Sequence, residues 1–188
     1  MEVKGTAVIS TREFVKAAFG EQNMNKWISS LDPQAKKVYE SAILTNNWYP
    51  IEDALRKPTK KIGELFYSGD VKKGAWDSGM FSADYGLKGI YRLFVKMGSA
   101  KFIINKASSI FSTYYKPSVM QSEVTGDNSS VLRIVEFADI CPVVESRIGG
   151  WMHKGLEICG VTDINVEIVK AKTKGDAVTE YAVSWSDK

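Results

Sequence analysis

The chain has 188 residues, of which 44% are apolar and 25% are charged, and its net charge is +3. These values predict one globular domain over residues 1–188 with an apolar core, and they exclude a disordered chain. The weak and scattered positive charge argues against nucleic-acid binding, which normally concentrates charge on one face. No apolar run reaches the roughly 18 residues of a transmembrane helix, and Met1–Lys4 begins no secretory signal, so we expect a cytoplasmic protein.

Residues 1–76 are predicted to be mainly helical. Val3–Ile9 has the composition of a short strand, and the capping-box pattern at Ser10–Glu13 predicts that the first helix begins there. Ser68–Gly79 contains three glycines and two serines around an isolated Trp76. We predict that this segment is a long loop or a short broken helix, and that it is the best candidate for a mobile lid.

Residues 77–188 are predicted to contain a helix pair followed by β-rich segments. Ser82–Met97 and Ser99–Tyr115 both place apolar residues at helical spacing. The link between them is short, which predicts an antiparallel helix pair.

The β-rich segments predict the fold class. Val119–Phe137 surrounds a turn-forming Gly-Asp-Asn-Ser sequence, and Asp163–Trp185 shows alternating apolar and polar residues, so each is predicted to form a hairpin. The amphipathic segment Cys141–Gly160 lies between them and is predicted to be a helix. The expected architecture is therefore α+β, with an antiparallel sheet of two hairpins joined by a helix and packed against long helices.

The titratable residues predict no catalytic or metal site. His153 is the only histidine, and the chain has two cysteines, Cys141 and Cys159. Two thiols and one imidazole are too few for a four-ligand zinc site without carboxylates. Cys159 and His153 face different sides of one helix, which is poor geometry for a catalytic pair. We expect a protein that is not an enzyme and that holds no metal and no cofactor.

Gly149-Gly150 inside the predicted helix is unusual, because each glycine costs about 1 kcal/mol relative to alanine in a helix. Either another element approaches the helix backbone closely there, or the helix is kinked beside a cavity.

Aromatic and methionine side chains recur along the predicted helices. One interpretation is a plain core. The other is a cavity between the helix pair and the sheet that holds an apolar molecule, with Trp76 gating entry. The candidate pocket residues are Trp76, Tyr91, Phe94, Phe111, Tyr114, Trp151, Met152 and His153.

The order and pattern of the second half resemble a known superfamily. The segments are DYGLKGIYRLF, STYYKP, FADICPVVESRIGGWMHKGLEICG and YAVSW, and they span most of residues 77–188. They resemble the superfamily that includes haem-based nitric-oxide sensor domains, TRAPP tethering subunits and bacterial 4-vinyl-reductase domains, in a bacterial branch. The resemblance implies the architecture above and a tendency to hold a lipophilic ligand or to form a homodimer through helices.

The functional residues of that superfamily have no clear counterpart here. Its haem sensors carry a proximal histidine and a Tyr-x-Ser-x-Arg motif. The most similar string, Tyr39–Ile43, has no arginine, and His153 lies on a different element. We therefore expect the fold without haem. The vinyl-reductase group is associated with several cysteine positions, which the two cysteines of this chain cannot fill.

Two functions are favoured, and a third, an enzyme with a reactive thiol at Cys141 near the start of the predicted helix, is also left open. The first is a non-enzymatic domain that binds or senses a small lipophilic molecule. The alternative is a scaffold that binds other proteins and acts as a homodimer through an exposed helix face.

Overall fold

The computed structural model describes residues 1–87 and 99–187. Helices pack around a four-stranded antiparallel sheet, and a small three-stranded sheet joins the first strand to two distant parts of the chain. The predicted α+β class, with two hairpins joined by a helix, is confirmed. The helices are α1 (Gly5–Phe19), α2 (Glu21–Ser29), α3 (Pro33–Glu40), α4 (Lys57–Phe66), α5 (Val71–Gly86), α6 (Ala100–Tyr114) and α7 (Pro142–Cys159), with a π-helical turn at Glu52–Arg56 and a 3-10 turn at Lys172–Lys174.

Both sheets are antiparallel throughout. The large sheet has the order β4-β5-β7-β6. The two predicted hairpins are β4-β5 and β6-β7, and they join through β5 and β7 at the centre of the sheet. The small sheet has the order β2-β1-β3 and was not expected from the sequence, because its strands are only two or three residues long. The strands are β1 (Glu2–Lys4), β2 (Trp48–Pro50), β3 (Tyr115–Lys116), β4 (Val119–Gly126), β5 (Ser129–Glu136), β6 (Thr162–Lys170) and β7 (Thr179–Ser186).

The predicted beginning of the first helix was wrong. Strand β1 ends at Lys4 and α1 begins at Gly5, so most of the predicted strand Val3–Ile9 is helical. Ser10 lies inside the helix, buried, and its hydroxyl bonds to the carbonyl oxygen of Ala7 rather than capping a new helix. Burial of this segment in the core overrides the β propensity of its local sequence.

The predicted loop at Ser68–Gly79 is also wrong, because most of it belongs to α5. Asp70 caps this helix by accepting a hydrogen bond from the Lys73 amide at 2.9 Å. Ser82 is therefore not an N-cap but a buried residue well inside the helix. Gly74, Ser78 and Gly79 are buried on α5, whereas Ser68 and Gly69 precede the helix. Trp76 therefore lies on a packed helix and not on a lid.

Helices α5 and α7 approach so closely that only glycine fits between them. A Cβ on Gly150 would overlap the carbonyl oxygen of Trp76, and one on Gly149 would lie 2.6 Å from the Trp76 ring. A Cβ on Gly79 of α5 would overlap the carbonyl oxygen of Arg147 on α7. The close-approach explanation of Gly149-Gly150 is confirmed.

Buried apolar residues from Val3 to Trp185 form one large cluster. Helix α5 crosses residue 76, where the sequence suggested that a helical part gives way to a mixed part. A single domain over 1–188 stays a prediction. None of the helices in the two described ranges has both the length and the apolar character needed to cross a membrane.

Candidate ligand-binding cavity

A cavity of about 60 Å³ lies between α6, α7 and the large sheet. Its walls are almost entirely apolar. Helix α6 forms one wall, α7 another, and strands β4, β5 and β7 the floor. The described lining residues are Ile103, Ile104, Ala107, Ile110, Phe111 and Tyr114 of α6; Arg147, Ile148, Trp151, Met152 and Leu156 of α7; Met120, Leu132 and Val183 of the sheet; and Ala7, Ser82 and Tyr115.

The packing of α6 explains why space remains there. Helix α6 lies against β4 and has few contacts with α7. Helix α7 is instead drawn toward α5 by the glycine contacts at Gly79, Gly149 and Gly150. Each helix therefore has its tight partner elsewhere, and the side chains between α6 and α7 leave a gap.

The polar side chain that stands out in this cavity is Arg147. It is 98% buried, since its relative exposure is 2%. Its guanidinium donates to the Ser78 hydroxyl of α5, and to the Ala7 carbonyl oxygen at 3.3 Å and the Ser10 hydroxyl at 3.4 Å on α1. Arg147 thus fixes the junction of three helices while its side chain borders an apolar space.

All of these partners are neutral. No carboxylate within residues 1–87 and 99–187 forms an ion pair with Arg147, and the sequence of 88–98 contains no Asp or Glu. Burial lowers the pKa of Arg147, because desolvation penalises the charged form, and the nearby Tyr115 phenol opposes that shift. The site is therefore a desolvated cation without a counterion, in a cavity with apolar walls.

Glu145, two residues earlier on α7, is also buried but has a different environment. Two positions along a helix turn the side chain by about 200°, so Glu145 and Arg147 face opposite ways. The Glu145 carboxylate accepts hydrogen bonds from the Thr179 hydroxyl at 2.7 Å and the Thr173 hydroxyl at 2.6 Å. It secures the 3-10 turn and β7 to the helix, and it does not neutralise Arg147.

The cavity contains four of the eight predicted pocket residues: Phe111, Tyr114, Trp151 and Met152. The buried indole nitrogen of Trp151 has no acceptor among the described residues. Tyr91 and Phe94 lie outside the described residues.

The other two predicted pocket residues, Trp76 and His153, lie at the contact of α5 and α7 instead of on the described cavity wall. Their ring centres are 6.0 Å apart. Burial lowers the pKa of His153, although Glu157 acts in the opposite direction. Burial also raises the pKa of Cys159 to about 11, so its thiol is largely protonated near neutral pH.

Sequence reasoning did not single out Arg147, the residue that distinguishes this cavity. A signal was present. Arg147 lies three residues after Val144 and four before Trp151, which places it on the apolar side of an amphipathic helix. A charged residue at such a position is either paired or functional, because an isolated buried charge is costly.

The string most similar to the haem motif, Tyr39–Ile43, contributes no residue to the described cavity wall. The Tyr39 hydroxyl donates to the Ala54 carbonyl oxygen at 2.7 Å, and the Ser41 hydroxyl donates to the Lys37 carbonyl oxygen at 2.7 Å. Both bonds are local to α3 and the π-helical turn. Within the described ranges, no group of three or more His, Cys, Asp or Glu side chains is placed to hold a metal ion.

Solved structures show which fold this is. The H-NOX protein from S. oneidensis superposes with a TM-score of 0.77 at 12% identity, covering 98% of this chain and 97% of that one. The H-NOX protein from K. algicida gives 0.71 at 11% identity, with 98% and 97% covered. That of T. Tengcongensis gives 0.69 at 12% identity, with 98% of both chains covered. This chain has the H-NOX fold.

The H-NOX fold covers nearly the whole chain, including the helical first half that the sequence resemblance left out. No protein-family model matches the chain, and no curated protein does. Of the superfamily named from the sequence, the haem-sensor part is thus supported at the level of fold. The TRAPP and 4-vinyl-reductase parts have no support among these neighbours.

Proposed function

We propose that this protein is a non-enzymatic domain that binds a small molecule in the cavity between α6, α7 and the large sheet. The observation that carries the proposal is the cavity itself, an apolar space bounded by three separate layers of the fold. Buried gaps of this kind reduce stability when they are empty, because the lining atoms lose packing contacts. The sensory role of H-NOX proteins is consistent with such a site.

The size of the cavity restricts the ligand. A cavity of roughly 150 Å³ holds benzene, and this one is about 60 Å³. Anything larger than a few atoms enters only if the walls separate. The gap can open most easily between α6 and α7, because these two helices have few contacts with each other.

Haem, which the fold family implies, does not fit these residues. A haem iron takes His, Cys, Met or Tyr as its axial protein ligand. The only histidine and both cysteines of the chain lie outside the described cavity wall, which leaves tyrosine and methionine side chains there. Haem, a macrocycle of four pyrroles, would need the walls of this space of about 60 Å³ to separate much further than a six-carbon chain would. The proposal therefore keeps the fold and the cavity and assigns them a different ligand.

The first test is a neutral probe, hexan-1-ol, titrated into the protein by calorimetry. We expect saturable binding to one site per chain. In the variant Ala107→Phe the added ring fills the cavity from α6, and we expect the affinity to fall by on the order of tenfold or more. Ser109→Phe adds the same ring on an exposed part of the same helix, so its affinity should equal that of the wild type.

Equal binding by both phenylalanine variants would place the probe elsewhere and contradict the proposed site. The alternative function, a homodimeric scaffold, stays a prediction. The large apolar side chains that are exposed within the described residues lie on several elements: Leu44, Phe102 of α6, Val119 and Val124 of β4, and Val169 of β6.

A further inference from the structure

We propose that the cavity selects an anion, and that its ligand is a small lipophilic monocarboxylate whose carboxylate binds the guanidinium of Arg147. This inference rests on the binding function proposed above and names the class of ligand. The apolar chain of the ligand would lie among the side chains of α6, α7 and the sheet.

The first step of the argument is charge. A buried guanidinium keeps its proton, and it is normally paired with a carboxylate or phosphate. Arg147 is 2% exposed and has only hydroxyl and carbonyl partners among the described residues. Residues 88–98 add no Asp or Glu in sequence, and Glu145 is engaged by two threonines. Within the described residues, Arg147 is therefore the cation of an ion pair whose anion is not among its partners.

The second step is orientation. Contacts from α1 and α5 hold the guanidinium in place through Ser10, Ser78 and the Ala7 carbonyl. The Ser10 hydroxyl donates to the Ser82 hydroxyl at 2.8 Å, which links α1 and α5 at the same junction. A donor fixed in this way loses little conformational freedom when an anion binds, and arginine suits the planar carboxylate group.

The third step is the character of the space in front of the charge. Apart from Arg147 and the indole nitrogen of Trp151, the walls that α7 and the sheet present are apolar, with Ile148, Met152, Leu132 and Val183 among them. A hydrated inorganic anion would gain nothing from such walls, whereas an alkyl or aryl chain would. One cationic end in an otherwise apolar cavity matches a ligand with one anionic end and an apolar body.

The test compares hexanoate with hexan-1-ol, which has the same chain length and no charge. We expect the wild-type protein to bind hexanoate roughly 10- to 100-fold more tightly, the range of a hydrogen bond to a charged group. In Arg147→Met this preference should disappear, while hexan-1-ol binding persists. Arg12→Met removes an arginine from α1 that pairs with the adjacent Glu13, and it should keep the preference.

A second measurement needs no variant. Hexanoate labelled with ¹³C at the carboxyl group reports its own ionisation by NMR when it is bound to the wild-type protein. Next to Arg147 the bound carboxyl should have a pKa below that of the free acid, because a nearby cation favours the carboxylate. An apolar site without the arginine contact would raise that pKa instead.

The outcomes separate this inference from the proposed function. Equal affinities for hexanoate and hexan-1-ol, or a raised carboxyl pKa, would overturn the carboxylate proposal and leave Arg147 as a bridge between helices. The cavity would then still be a binding site. If neither probe binds the wild type, the proposed function itself is wrong, and this inference is wrong with it.

Discussion

Helix α7 carries two buried charges of opposite sign, Glu145 and Arg147, and the protein treats them differently. The Glu145 carboxylate accepts hydrogen bonds from two threonine hydroxyl groups, and one of these bonds connects the helix to β7. Arg147 has neutral partners and borders the cavity. A buried charge with several good hydrogen bonds is tolerated at moderate cost, and one without a counterion favours any anion that can reach it. Side-chain direction on one helix thus separates a structural charge from a proposed binding charge.

Substitution of Thr179 by valine should destabilise the protein, although the two side chains have similar shapes. The Thr179 hydroxyl is fully buried and donates to Glu145 Oε1 at 2.7 Å. Without it, a buried carboxylate oxygen loses a donor, which costs about 1–3 kcal/mol. Urea unfolding followed by circular dichroism would measure the free energy of unfolding.

The matched control is Thr125→Val on β4, where the hydroxyl group is exposed. Its free energy of unfolding should stay within about 0.5 kcal/mol of the wild type. If both valine variants unfold at the same denaturant concentration, the hydrogen bond to Glu145 contributes nothing measurable.

At the scale of elements, the contact between α5 and α7 organises the molecule. Small residues on both helices allow their backbones to approach, and this approach directs α7 away from α6. The gap that results is the cavity. The same glycines that look like breaks in a helix are therefore the cause of the proposed binding site.

The variant Gly150→Ala should test this contact directly. Its new methyl group would overlap the carbonyl oxygen of Trp76, a backbone atom that cannot rotate away. Overpacking of this kind costs about 1–3 kcal/mol, which outweighs the gain of about 1 kcal/mol in helix propensity where the clash is most severe. We expect a lower free energy of unfolding, measured by urea titration.

Gly155→Ala on the same helix provides the comparison. A Cβ there would lie 3.5 Å from the Trp151 ring, an ordinary contact, so helix propensity should dominate and stability should be unchanged or raised by up to about 1 kcal/mol. If Gly150→Ala were as stable as Gly155→Ala, the close approach of α5 and α7 would not be a constraint on the fold.

The sequence predicted elements well where the pattern was periodic and local. Both hairpins and helix α7 lie close to their predicted limits, because alternation and amphipathicity reflect one buried face. It failed at Ser68–Gly79, where glycine and serine serve helix packing that no local pattern reveals. The role of Arg147 depends on its contacts with α1 and α5. These contacts join residues far apart in the chain, so the local sequence does not predict them.

At the scale of the whole molecule, the chain has the H-NOX fold, and its only histidine lies outside the described cavity wall. The identity to the solved structures is 11–12%, yet the coverage is nearly complete. A fold fixes the position of a cavity, whereas the side chains at its walls fix what enters.

The absence of a haem site can be tested by titrating the protein with ferric haem and recording absorption spectra. We expect no saturable complex of one haem per chain, because His153 lies outside the cavity wall and the space is about 60 Å³. A haem-binding globin without its cofactor serves as the positive control. A saturable spectral change that disappears in His153→Ala would restore haem as the ligand and contradict the fit described above.

The position of the only imidazole has a practical consequence. Because the chain has one histidine, its ring protons give one set of resonances in a proton NMR spectrum without isotope labelling. His153 lies beside Trp76 at the α5–α7 contact, and its pKa is below the ordinary value because of burial. Its titration curve therefore reports how far solvent enters between these two helices. A rise of the His153 pKa toward that of a free imidazole would indicate that α5 and α7 have separated.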